Sequence, residues 1–176
     1  MATKSKAKST VSYEDRDQFA VVRVIQTAAD TTTTEQFPTS QTIRDKVGIL
    51  ISRIEVHFVA ADITALNAAG DCVQAFVFQL LNNIPAGTTP WPVGGIYWGE
   101  KNHPGAAVSV INEDGMLDWR PSEPILVHPA SLFAGVSSTG TGLACDATFR
   151  ITFKYVDLED ADYQDLFQTI IAQNVF

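Results

Sequence analysis

Between Phe19 and Val156 the sequence keeps returning to a period of two, and that constrains its fold more than any other feature. The clearest stretch is Ala147 to Val156, where Phe149, Ile151, Phe153 and Tyr155 alternate with Thr148, Arg150, Thr152 and Lys154. In an extended chain such residues stand on opposite faces, so one face is apolar and the other polar. Ile54, Val56 and Phe58 alternate with Arg53, Glu55 and His57 in the same way inside the longer run Val47 to Val59. A third run, Val73 to Leu81, sets Phe76, Phe78 and Leu80 against Val77 and Gln79.

Five further runs of β-type residues complete the pattern: Phe19 to Gln26, Gly95 to Trp98, Ala107 to Ile111, Ile125 to Val127 and Leu132 to Ser137. Gly, Pro, Asn and Asp punctuate them, and a Thr-rich stretch from Asp30 to Thr34 reads as a linker. Eight short runs with no helical pattern between them predict two packed antiparallel sheets rather than a βαβ fold. The period then changes. Tyr163, Leu166, Phe167, Ile170 and Ile171 fall at helical spacing behind the acidic segment 157–162, whose charges suit the positive end of a helix dipole. A terminal helix of about 12 to 15 residues is expected from that spacing. At about 1.5–3 kcal/mol for each large apolar side chain fully buried, its face needs a partner, either its own sheet or another subunit. The organisation expected is a flexible arm over 1–17, a sandwich over 18–156 and an amphipathic helix with its tail over 157–176.

The 176 residues suit one domain with a sizeable core, and 45% apolar against 18% charged residues is globular composition. The net charge of −8 disfavours wholesale coating of nucleic acid by the folded body. Lys4, Lys6 and Lys8 form a small basic exception at the front of the chain, opposite an acidic back end. No apolar leader and no run long enough for a membrane span is visible. Cys72 and Cys145 read as two thiols rather than a disulfide, and neither has metal-type neighbours.

Motifs for chemistry are scarce. Gly94-Gly95 lacks the lysine and helix of a phosphate loop, and no nucleophile elbow is present. His57, His103 and His128 lack the close spacing of metal ligands and read as isolated histidines. Asp62 with Asp71, Glu113 with Asp114, and Asp118 with Glu123 are carboxylate pairs that read as solvated loop charges. Trp91, Tyr97, Trp98 and Trp119 could stack on sugar rings, but no polar residues visibly converge with them, so packing or subunit contact is the preferred reading. No enzymatic activity and no cofactor or metal is expected.

A short basic arm at Lys4 to Lys8, β-runs from Phe19 to Val156, the aromatic–proline loop Pro90 to Trp98 and the tail ITFKYVDLEDADYQDLFQTII together resemble viral single jelly-roll capsid proteins. The resemblance is architectural and covers nearly the whole chain. It implies an all-β fold, an eight-stranded antiparallel jelly-roll sandwich with a short C-terminal α-helix. It also implies a structural virion protein, a coat subunit that assembles with copies of itself into an icosahedral shell in the host cell cytoplasm, with other virion proteins as further partners. Trp91, Trp98, Leu166, Phe167, Ile170 and Ile171 are then the expected subunit contacts, and Lys4, Lys6 and Lys8 the expected genome contacts. The alternative is a non-catalytic β-sandwich binding module for carbohydrate, using the Trp-bearing loop.

Overall fold

The computed structural model describes residues 16–39, 46–59, 66, 68–79, 95–102, 116–128 and 132–173. Nine strands and one helix lie among them: β1 (Gln18–Ile25), β2 (Thr32–Gln36), β3 (Val47–Phe58), β4 (Cys72–Gln79), β5 (Gly95–Asn102), β6 (Met116–Trp119), β7 (Ile125–Val127), β8 (Leu132–Thr139), β9 (Asp146–Asp157) and α1 (Asp160–Gln173). All described pairings are antiparallel. Sheet A runs β1-β9-β3-β6 with β7 also on β3, and sheet B runs β2-β8-β4-β5. The described residues thus form an all-β sandwich with one short helix, as the alternation predicts.

The strand list differs from the eight runs read in the sequence. The expected run Ala107 to Ile111 lies outside the described residues. The Thr-rich stretch read as a linker is in fact strand β2, paired with β8 from Thr32↔Ser137 to Gln36↔Phe133. It looks like a loop because it is a sheet edge of half-exposed and exposed polar residues, with no buried face to print an alternation. Strand β6 is four residues long and was not foreseen at all.

The core lies between the sheets. Val24 of β1, Ile49, Ile51, Ile54 and Val56 of β3, and Phe149 and Ile151 of β9 meet Val73, Ala75 and Val77 of β4 and Leu132, Ala134 and Val136 of β8. Strand β3 serves this core in two phases. Ile49 and Ile51 point inward at odd positions, whereas Ile54, Val56 and Phe58 do so at even ones. The change of phase is a β-bulge: the register on β9 jumps from Ile51↔Phe153 to Arg53↔Thr152, leaving Ser52 over. The Ser52 hydroxyl donates to the Thr152 carbonyl at 3.2 Å. On the opposite edge of β3 the covering strand is broken at the same level. β7 pairs with Ile49–Ile51, β6 with Ile54–His57, and the link between them carries Pro121 and Pro124, which have no N–H to give a ladder.

The turn from β1 to β2 is held by a buried polar knot. The Gln26 side-chain carbonyl accepts from the Ser138 hydroxyl at 2.9 Å and from the Cys145 N–H at 2.7 Å, and its amide donates to the Thr31 carbonyl. Each buried polar group there has a partner, so the chain crosses from one sheet to the other at a fixed place.

Candidate assembly surfaces

Sheet A ends at β1, and its outward face there is apolar. Phe19, Val21 and Ile25 are 65%, 47% and 54% exposed, with Arg23 between them. In an antiparallel strand a residue turns both backbone groups to one neighbour and the next residue turns both the other way. The Gln26 N–H donates to the Cys145 carbonyl at 2.9 Å, in the β1–β9 register. Phe19, Val21, Arg23 and Ile25 therefore direct their N–H and C=O groups away from β9. No strand pairs with that edge among the described residues. Arg23 is held by Asp146, its Nε lying 3.0 and 2.9 Å from the two carboxylate oxygens. The Arg150 guanidinium lies 4.9 Å from the centre of the Phe19 ring, within cation–π range.

Further across this face lies a charged row. Arg53 grips Asp118 through two hydrogen bonds of 2.7 and 2.8 Å, which hold the Asp118 carboxyl below the usual carboxylate range. Glu55 is buried beside it. One of its oxygens is 3.0 Å from Arg53; the other is 3.7 Å from Arg150, too far for a hydrogen bond. Asp118 is therefore an anchored surface acid. Asp71, also read as a loop charge, is buried and accepts the Ala68 N–H at 2.8 Å. Burial overturns the solvated reading for Asp71. Asp62, Glu113 and Asp114 lie outside the described residues.

The outward face of sheet B carries a second apolar cluster, separate from the main core. Phe76, Phe78 and Phe133 are all buried there, with ring centroids 5.7 and 5.6 Å apart along the trio. Gly135 lies under the Phe76 ring: a Cβ on it would stand 2.2 Å from the ring edge. Trp98 of β5 pairs with Phe76 in register and is 47% exposed on the same face.

The expected subunit contacts are not brought together as one patch by what is described. Trp91 and Lys4, Lys6 and Lys8 lie outside the described residues. Phe167, Ile170 and Ile171 are helical positions of α1 whose side chains lie outside the description, and Leu166 is half-buried. Tyr97 and Trp119 close one side of the sandwich instead of forming a sugar platform. Tyr97 points into the core, its ring 5.6 Å from that of Trp119, and burial with the nearby Asp118 charge pushes its phenol up to about 12. Helix α1 docks through its first turn. The Leu158 N–H donates to the Lys46 carbonyl at 2.8 Å, Lys46 pairs with Asp160, and the Tyr163 hydroxyl is 3.2 Å from His128 Nε2. His128 is buried, and burial lowers its pKa. His57 is exposed, and His103 lies outside the described residues.

Sequence reasoning missed the outward row on β1. It showed in the letters as Phe19, Val21 and Ile25 at even spacing, but the neighbouring Ala20, Val22 and Val24 are apolar too, so the run gave no sign of which face was inner. Neither Cys72 nor Cys145 is in a disulfide; Cys145 is buried, and burial raises the Cys72 thiol. No group of three or more His, Cys, Asp or Glu side chains suited to a metal occurs among the described residues. Nor is any helix among them long and apolar enough to cross a membrane.

Compared with known proteins, the sequence matches no family description and no curated protein. Solved structures similar in shape include tomato aspermy virus, with 9% identity and a TM-score of 0.38 over 92% of this chain and 85% of that one. Another is the infectious bursal disease virus VP2 subviral particle, with 10% identity and a TM-score of 0.29 over 83% of this chain and 38% of that one. Both neighbours are viral structures. The overlap is loose at these scores, and the fold rests on this chain's own strand pairing.

Proposed function

We propose that the chain is a jelly-roll coat subunit, a non-catalytic protein whose role is to assemble with copies of itself into a closed viral shell. The strand order supports the jelly-roll reading: β1 pairs with β9, β2 with β8, β3 with β6 and β7, and β4 with β5, a nested hairpin folded over into two sheets. The observation that carries the assembly reading is the outward apolar row at the β1 edge, with which no strand pairs among the described residues. A sheet edge of that kind is a template for another chain, and proteins that stay single blunt it with charge, proline or a cover. In this reading the virion is the site of action and the host cytoplasm the site of assembly. The subunit's shell is icosahedral, other virion proteins are further partners, and Lys4, Lys6 and Lys8 are the residues that touch genome. Contacts by positions 91, 98, 166, 167, 170 and 171 belong to the same proposal.

The test is electron microscopy and size-exclusion chromatography of the purified protein at several salt concentrations. Uniform particles of megadalton size are expected, more abundant as salt rises, because screening weakens repulsion between bodies of net charge −8. A protein that stays monomeric throughout and binds glycans, with Trp98 required, would replace the coat reading with that of a carbohydrate-binding module.

A further inference from the structure

We propose that β1 is a two-fold seam between two copies of this chain: their β1 edges pair antiparallel about Val22, joining two five-stranded sheets A into one of ten strands. The proposal rests on the self-assembly reading and names the surface it uses. Among the described residues the edge has an unused half-ladder: Phe19, Val21, Arg23 and Ile25 direct both backbone groups away from β9, and no described strand meets them. Addition of a strand to such an edge satisfies these groups with main-chain hydrogen bonds, and the alternate side chains supply specificity.

The occupant is a second copy because the row is complementary to itself in one register. Set antiparallel about Val22, Phe19 of each copy faces Ile25 of the other, and Val21 faces Arg23. All four outward-directed residues of both strands are then paired. A shift centred on Arg23 would set the two guanidiniums opposite each other. A shift centred on Val21 would carry Ile25 past the strand to Asp17. Charge follows the same register. Arg23 is already neutralised by Asp146 within its own chain, so its approach brings no bare cation to the seam. Asp146 is the β9 neighbour of Ile25, and Arg150 lies over Phe19. Each Phe19–Ile25 pair is therefore flanked by a cation from one copy and an acid from the other. The axis is perpendicular to the sheet, so both outward faces stay on the same side, as units of a wall require.

Two measurements test the seam. Val21→Pro removes an N–H that points away from β9, so the β1–β9 ladder keeps its hydrogen bonds. In sedimentation velocity the variant is expected as the 19.1 kDa monomer under conditions where the unaltered chain associates. The second uses Phe19→Cys and Ile25→Cys, each in a Cys72→Ser background. Hydrogen-bonded partners across an antiparallel pair are about 5.5 Å apart at Cα, which suits a disulfide. Mild oxidation should link the two variants when mixed and neither variant alone. Equal linking by either single variant, or none in the mixture, overturns the seam even if Val21→Pro fails to fold. Particles without the mixed cross-link refute the seam and leave the coat reading standing; a cross-linked dimer that never grows refutes the coat reading and leaves the seam.

Discussion

Two side chains show how local chemistry sets this molecule's tolerance. Gly135 has no Cβ because the Phe76 ring occupies that place, and Phe76 is itself clasped by Phe78. Gly135→Ala must displace a buried ring, so a loss of about 1–3 kcal/mol is expected, read as a lower urea midpoint with an unchanged slope. His128 is one residue through which pH reaches the fold near neutrality. Its pKa is below 6.5 in the folded chain because burial penalises the imidazolium, whereas the unfolded chain protonates near the ordinary value. The unfolded state therefore takes up the proton first as pH falls. The stability His128 contributes is complete above about 6.5 and declines from there down to its folded pKa. His128→Gln should flatten that slope in thermal melts between pH 7 and 5. The tail end of the molecule should loosen first, because His128 meets Tyr163 of α1.

Among the elements, β3 has most to teach. Its inward residues change phase at Ser52, so removing that residue leaves Ile49, Ile51, Ile54, Val56 and Phe58 in one unbroken alternation. Deletion of Ser52 should therefore leave the fold intact. Insertion of one alanine between Glu55 and Val56 should not, because it turns Val56 and Phe58 out of the core, a loss of about 3–6 kcal/mol for two large apolar side chains. Circular dichroism and chemical denaturation of the two variants check the contrast. The same element marks how far the letters could be read. The alternation at Arg53 to Phe58 was plain in the sequence, yet the bulge was not, because Ser52 looks like any polar strand residue. β2 was lost for the complementary reason, having no buried face, and β6 because four residues give too little pattern. The terminal helix was legible from its spacing, but its docking through Lys46 and His128 joins positions far apart in the chain, which periodicity does not report.

At the scale of the whole molecule, two sheets and an apolar layer between them were legible, because alternation states that each strand has an inside. It does not state which strand lies beside which, and the candidate surfaces depend on that order. Phe19, Val21 and Ile25 become a surface only because β1 falls at an edge; in a central strand the same residues would be ordinary filling. That Phe76 and Phe78 share a face is legible, but not that this face is the outward side of sheet B, where Phe133 joins them. The nested order also carries a consequence for biosynthesis. Arg23 and Asp146, joined across β1 and β9, are 123 positions apart, so β1 must wait through most of that stretch of synthesis for β9 before the two can pair. A polypeptide cut short before β9 would leave β1 without its ladder partner along its whole length, so β1 takes working form only once β9 has been made.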